Sequence, residues 1–266
     1  MQKSINVENI DNNITIISLN RPKSLNALNA DLANELFSSL SNVEHSKNCR
    51  CLIIRGNGGH FMAGGDLKSF STELDNAPDE RRKHFELFIG IVHPIIQCIK
   101  RMPKPVIASV EGAAGGFGMS LMMACDLVIA SDKSFYTMAY SSIGTSPDGS
   151  STWFLPRLVG LKKAMELALL SERFDSTKAL DMGLINKVVP SNLLERETLE
   201  LASKLAEGPT YAYAHTKRLI NSSMENHLDS QLQAEAECFS DCASTDDFAE
   251  GVSAFIEKRK PKFKGQ

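Results

Sequence analysis

Residues 106–121 read VIASVEGAAGGFGMSL, a buried-type strand that runs directly into a glycine cluster. The strand VIASV is short, rich in β-branched residues and apolar on both faces, which is typical of a parallel strand covered by helices. Four glycines then fall within seven residues, at positions 112, 115, 116 and 118. Strands that end in such loops predict a parallel α/β architecture with its site at the strand ends.

A second glycine cluster follows an earlier strand. The apolar run CLIIRG (51–56) leads into five glycines within ten residues, at 56, 58, 59, 64 and 65. Glycine removes the side chains that would keep a ligand away from backbone N–H groups. Neither cluster has GxGxxG or GxxxxGK[ST] spacing, which disfavours dinucleotide and P-loop chemistry. Two loops of this kind can instead converge on one oxygen atom of a ligand.

The rest of the chain divides into two parts. Further strands are predicted at 14–19 and 126–131, with helical spacing over 32–43 and about 78–101. From about residue 149 strand-like runs nearly vanish, apart from INKVV (185–189), and helical periodicity covers 162–170, 191–206, 209–224, 228–242 and 245–258. We therefore predict a core over 1–190 that carries the site and a helical subdomain over 191–266. Because these helices have no sheet of their own, we expect them to pack on a neighbouring subunit.

Size, composition and charge limit the ligands that this chain is expected to bind. The chain has 266 residues, 42% of them hydrophobic, and a net charge of −3, which argues against nucleic-acid binding. Five cations nevertheless stand in the last nine residues, and they suit either a solvated terminus or a phosphate-bearing small molecule: Lys258, Arg259, Lys260, Lys262 and Lys264.

The sequence predicts a cytoplasmic protein without a metal site. No secretory signal and no membrane span is visible in the sequence. The six cysteines lack CxxC spacing, which indicates reduced thiols in a cytoplasmic protein. The six histidines are scattered without HExxH, so we expect no metal site.

Five motifs in order resemble those of the crotonase (enoyl-CoA hydratase/isomerase) superfamily. FMAGGDL (61–67), EGAAGGFGMSL (111–121) and SPDGSST (146–152) match its three central signatures. NRPKSLNAL (20–28) is similar to its entry motif and EGVSAFIEKRKPKFKG (250–265) to its C-terminus. The resemblance implies a ββα-superhelix core with a C-terminal helical trimerisation subdomain, in trimers or paired trimers. It also implies an acyl-CoA thioester substrate and no separate cofactor, since coenzyme A enters as part of the substrate.

The resemblance further implies an oxyanion hole. Matched by position, its two N–H donors are those of Gly65, and of Phe117 beside Gly116. Phe117 departs from the glycine or alanine common in the family, and we expect its ring to point away from the thioester or to wall the acyl pocket. Such donors stabilise the negative charge that forms on a thioester oxygen when a neighbouring carbon loses a proton.

The carboxylates decide which reaction to expect. Hydratases of the family carry two glutamates, and the matching positions here are Ser120 and Tyr140, so the ordinary hydration mechanism is disfavoured. The remaining acid is Asp148, at a position where double-bond isomerases of the family often carry their acid/base. The run 139–160 looks like the phenylacetate-pathway isomerase branch. Burial against neighbours such as Ile143, Trp153 and Phe154 would raise the pKa of Asp148 towards the value a shuttling base needs.

Other residues are assigned by position alone. Asp66 is expected to cap a short helix, and Tyr140 and Ser120 either pack or contact the acyl group. The other substrate-binding positions, near the CoA moiety, are Lys23, Ala27, Ala63, Asp66, Leu67, Lys68 and Gly116. Phe263 and Lys264 match a C-terminal region that can contact the nucleotide end of CoA.

Three alternatives to an isomerase remain open at this point. The chain could be a hydratase that works without the two glutamates, or a thioester hydrolase or dehalogenase in which Asp148 attacks. It could also be a non-catalytic acyl-CoA or RNA binder on the same scaffold, although the negative net charge argues against RNA.

Overall fold

The computed structural model describes residues 3–10 and 13–266. Within these ranges the strands are β1 (Ile5–Ile10), β2 (Ile14–Leu19), β3 (Cys51–Gly56), β4 (Val106–Val110), β5 (Ala113–Gly115), β6 (Leu127–Ser131), β7 (Phe135–Thr137), β8 (Phe174–Asp175) and β9 (Lys187–Val189). The helices are α1 (Ala30–His45), α2 (Leu67–Ser71), α3 (Pro78–Arg101), α4 (Phe117–Ala124), α5 (Ser151–Val159), α6 (Leu161–Leu170), α7 (Ser176–Asp181), α8 (Leu194–Ala206), α9 (Thr210–Ser223), α10 (Leu228–Ala243) and α11 (Asp246–Ile256).

Two sheets organise the fold. The larger has the strand order β1-β2-β3-β4-β6-β9, and the smaller has the order β5-β7-β8. In the larger sheet β1 pairs antiparallel with β2, and every other pairing is parallel. This agrees with the predicted parallel α/β core, although β1 and the small sheet are not predicted from the sequence.

The larger sheet is buried on both faces, as its apolar strands require. In β2, Ile17 and Leu19 join the main core together with the apolar face of α1. Ile14 and Ile16 point the other way, where Ala202 of α8 packs against them. Thus α8 supplies a layer of the sheet's own covering, although it follows the predicted boundary at residue 190.

Several predicted elements are found close to their expected positions. The long helix predicted over 78–101 is α3, and the four helical stretches predicted after residue 190 correspond to α8 through α11. All six cysteines are free, and five of them are buried. In the described part of the chain no helix is long and apolar enough to cross a membrane.

Candidate active site

Backbone hydrogen bonds join the two glycine-rich loops to each other. Met62 N–H donates to the carbonyl of Ala113 at 2.9 Å, and Gly115 N–H donates to the carbonyl of Met62 at 2.9 Å. Gly118 makes this approach possible, because a Cβ there would lie 2.2 Å from the Met62 oxygen. The loops after β3 and β4 therefore form one unit.

That unit presents two backbone N–H groups to a cavity. Gly65 and Phe117 both line it, and neither N–H donates to a protein acceptor within the described ranges. Phe117 is the first residue of α4, so its N–H also carries the positive end of the helix dipole. Both residues thus line the cavity with N–H groups that no described protein acceptor occupies, and their use as an oxyanion hole stays a prediction.

The Phe117 side chain lies in the wall rather than across the cavity. The residue is 2% exposed, and its ring packs so closely on the backbone of Gly149 that a Cβ on Gly149 would lie 2.6 Å from the ring. The departure from the small residue common at this position is thus accommodated by a glycine in the Asp148 loop.

Asp148 lines the same cavity and is the single carboxyl among the described residues that do so. Burial raises its pKa, while the hydrogen bond from Tyr140 and the nearby charge of His93 lower it to a smaller extent, so that the net shift is upward. Of the apolar neighbours expected to bury it, Ile143 lines the cavity, whereas Trp153 and Phe154 do not.

Buried hydroxyls surround Asp148. Tyr140 Oη donates to Asp148 Oδ1 at 2.5 Å, and Ser120 Oγ lies 3.2 Å from Tyr140 Oη. The backbone carbonyl oxygen of Asp148 accepts from Ser151 Oγ at 2.8 Å and lies 3.1 Å from Ser120 Oγ, which also contacts Ser151 Oγ. Ser120 and Tyr140 therefore both contact Asp148; Tyr140 also lines the cavity, and Ser120 does not.

The cavity has a volume of about 830 Å³ and an aromatic wall. Phe85 and Phe88 of α3 meet Phe70 edge to face, with ring centroids 5.0 and 5.7 Å away. His93 and Gln97 lie further along the same lining. None of these residues is predicted from the sequence, although Phe85, Ile89, His93 and Gln97 recur every four residues and so lie on one face of α3.

The positions assigned to the CoA moiety fall into two groups. Ala63 and Leu67 line the cavity with Gly116, whereas Lys23, Ala27, Asp66 and Lys68 do not. Asp66 caps α2, as predicted, by accepting from the N–H groups of Lys68 and Ser69. It also forms an ion pair with Arg21 at 2.8 Å, which holds it in a structural position.

The cationic C-terminus folds back onto the protein. Phe263 lines a separate groove against α8, and the N–H of Lys264 donates to Asp247 at 2.6 Å. Arg259 and Lys260 have carboxylate partners, the latter in Glu207 at 2.8 Å. Neither interpretation of the tail, as a solvated terminus or as a segment that binds a phosphate-bearing molecule, predicts this docking. Within this chain Phe263 and Lys264 lie outside the cavity.

Known proteins resemble this chain over its whole length. The family model described as enoyl-CoA hydratase/isomerase matches residues 9–266. A Rhodobacter capsulatus protein named probable enoyl-CoA hydratase is 37% identical, with 97% of this chain and 96% of that protein covered. An Escherichia coli protein named 1,2-epoxyphenylacetyl-CoA isomerase is 35% identical, with 98% of each covered. The crystal structure of an enoyl-CoA hydratase from Polaromonas sp. JS666 has a TM-score of 0.91 at 34% identity, with 98% of this chain and 99% of that chain covered.

The family match and the structural likeness both include the glycine-rich loops and the C-terminal helices. They confirm the predicted α/β fold of the crotonase type. Because the family model matches residues 9–266 and both relatives are more than 30% identical over nearly the whole chain, this chain belongs to the enoyl-CoA hydratase/isomerase family of the crotonase superfamily.

Proposed function

We propose that this protein moves the double bond of a 3-enoyl-CoA thioester to the 2-position, with Asp148 as the acid and base. The observation that carries the proposal is the pairing of one carboxyl of raised pKa with two free N–H donors in the same cavity. At the two positions where hydratases of this family carry glutamates, the chain has Ser120 and Tyr140, which cannot act as carboxylate bases.

The reaction needs a single carboxylate. Ionised Asp148 removes a proton from C2, and the electron pair moves onto the thioester oxygen, which gives a dienolate. The N–H groups of Gly65 and Phe117 donate to that oxygen, and a donor of this kind contributes about 10²- to 10³-fold in rate. Protonated Asp148 then returns the proton to C4 as the double bond forms between C2 and C3.

The environment of Asp148 suits both halves of this cycle. A base whose pKa is raised by burial holds a proton more strongly, and its acid form persists closer to neutral pH. We expect kcat/KM to fall at low pH, where Asp148 of the free enzyme is protonated before substrate binds.

The test is Asp148→Asn, assayed by the absorbance of the conjugated thioester formed from a 3-enoyl-CoA. Asparagine keeps the shape and can still accept from Tyr140, but it cannot take up the substrate proton. We expect at least a 10²-fold loss of kcat with the affinity for a saturated acyl-CoA unchanged. Asp75→Asn, on an exposed loop residue, is the matched control and keeps full activity. Full turnover in Asp148→Asn would refute the assignment.

A hydratase is the second candidate. Relatives are named as hydratases, and His93 lines the cavity close enough to Asp148 to lower its pKa. Two titratable groups facing one cavity can activate a water molecule. Addition of water to crotonyl-CoA by the wild-type protein, lost in both His93→Gln and Asp148→Asn, would favour hydration over isomerisation. A covalent acyl- or aryl-enzyme trapped on Asp148 would point instead to hydrolysis or dehalogenation.

The assembly belongs to the same proposal, as a trimer or a pair of trimers in the cytoplasm. Helices α10 and α11 expose large apolar side chains, among them Phe239 at 70%, Phe255 at 86% and Ile256 at 72%. Patches of this kind mark subunit contacts. We expect the mass of the wild-type protein in solution to be three or six times that of the chain, and Phe255→Asp to lower it. A monomeric wild-type protein would contradict this assembly.

A further inference from the structure

Ser120 and Tyr140 have a shared property that their separate positions in the sequence conceal. They occupy the two positions at which a family hydratase carries its glutamates, and both contact Asp148. Tyr140 donates to the carboxylate, and Ser120 Oγ lies 3.1 Å from the backbone carbonyl oxygen of the same residue. The two residues at the glutamate positions of a hydratase thus both contact Asp148, the proposed acid and base.

The direction of these hydrogen bonds follows from proton counting. An ionised carboxylate only accepts, so the single Tyr140 hydroxyl proton goes to Asp148 Oδ1 over 2.5 Å. Tyr140 Oη still has a lone pair to accept from Ser120 Oγ, 3.2 Å away. Ser120 has a single hydroxyl proton, and we assign it to Tyr140 Oη, because the Asp148 carbonyl, 3.1 Å from Ser120 Oγ, already accepts from Ser151 Oγ over 2.8 Å. With that assignment the hydroxyls of Ser120 and Tyr140 form a chain that ends on Oδ1.

Burial makes this chain a fixed arrangement. Ser120 and Ser151 are fully buried and Tyr140 is 8% exposed, so an unpaired hydroxyl at any of these sites would be costly. Within the described residues the Tyr140 bond goes to Asp148 Oδ1, and no hydrogen bond from another residue reaches Oδ2. The two hydroxyls consequently hold one carboxylate oxygen and leave the other available for proton transfer.

We propose that Ser120 and Tyr140 are positioning residues that act in series to orient Asp148 and to keep it ionised. This inference rests on the proposed function, because it assigns a role to neighbours of the proposed base. It also explains why the two glutamate positions carry hydroxyl groups: a carboxylate at either site would place a second negative charge against Asp148 and raise its pKa further.

The experiment compares Tyr140→Phe, Ser120→Ala and the double variant, measuring kcat against pH, KM, and affinity for a saturated acyl-CoA. Tyr140→Phe removes a charge-assisted hydrogen bond, so we expect the acidic limb of the kcat profile to move up by about one to two pH units. At pH 7 we expect kcat to fall by about 10-fold or more, with acyl-CoA affinity within about twofold of wild type.

If Ser120 acts on Asp148 through Tyr140, the single and double variants should also differ in a defined way. Ser120→Ala should shift the pH profile in the same direction by a smaller amount, and the double variant should match Tyr140→Phe alone. Tyr136→Phe is the matched control, because Tyr136 is also buried and its hydroxyl contacts Ser134 Oγ at 2.8 Å, away from the cavity. It should leave the pH profile unchanged.

Two failures are distinguishable. If Asp148→Asn abolishes turnover while Tyr140→Phe keeps the wild-type pH profile, positioning is overturned and the proposed base stands. If Asp148→Asn retains turnover, both ideas fall. Strictly additive shifts in the double variant would overturn the series arrangement.

Discussion

Gly118→Ala tests whether the two glycine loops must touch for catalysis. Gly118 is the second residue of α4, and an added Cβ would lie 2.2 Å from the Met62 carbonyl oxygen. Real Cβ contacts essentially never fall under 3.0 Å, so the two groups must separate by about 0.8 Å. The Met62 carbonyl also accepts from Gly115 N–H, so the displacement reaches both loops.

The expected loss follows from that displacement. A misplacement of about 1 Å at a reacting centre costs about 10²-fold, similar to the loss of one oxyanion donor. We expect kcat/KM for a 3-enoyl-CoA to fall about 10²-fold, and overpacking to cost about 1–3 kcal/mol, read as a lower Tm in thermal unfolding.

Gly90→Ala is the matched control for this change. Gly90 lies within α3, and an added Cβ there meets nothing within 4 Å. Since alanine favours helix over glycine by about 0.5–1 kcal/mol, Tm should stay or rise slightly, with unchanged kcat/KM. If Gly118→Ala retains kcat/KM within threefold of wild type and an unaltered Tm, close contact of the loops is not required and the reasoning fails.

Two further predictions concern stability. Asp148→Asn should raise Tm at pH 7. The pKa of Asp148 in the folded protein lies above its ordinary 3.8, so ionisation of this carboxyl lowers the stability of the wild-type protein as pH rises from 3.8 through the raised pKa. The gain in Tm should disappear below pH 3.8, and an equal gain at all pH values would contradict the prediction. Lys104→Met should lower stability by about 2 kcal/mol, with kcat retained, because buried Nζ of Lys104 donates at 2.8 Å to the carbonyls of Val43 and Ser46 at the end of α1. Thermal unfolding of each variant checks both, and an unchanged Tm in Lys104→Met would show that those carbonyls are satisfied in another way.

Local sequence signals were sufficient for the long elements. The sequence predicts a long helical stretch from about 78 to 101, followed by Pro103 and Pro105, and the structure has α3 at Pro78–Arg101. By contrast, β1 carries few buried residues and is an edge strand, so its pairing depends on register with β2 rather than on its own pattern. Strand β5 reads Ala-Ala-Gly and has no intrinsic strand preference; it forms because β7 lies beside it.

The site likewise contains residues that the sequence predicts and residues that only the structure identifies. The resemblance to the crotonase superfamily implies one site for Gly65, Phe117 and Asp148, and all three line the same cavity. The contact between Tyr140 and Asp148 could not be read from the sequence, since it depends on how the turn at 141–143 folds back. The aromatic wall was likewise hidden, because helical spacing shows that Phe85 and Phe88 share a face but not what the face meets.

The mutual attachment of the glycine loops has a consequence for changing what the enzyme accepts. The side of the cavity that carries the N–H donors leaves no room for added atoms at Gly118. Another part of the lining consists of half-buried side chains on the surface of α3, where one side chain can be exchanged without moving the backbone. Mutant libraries that seek new acyl selectivity should therefore randomise Phe85, Phe88 and Ile89 and keep both loops fixed, so that variety is gained where the fold is least demanding.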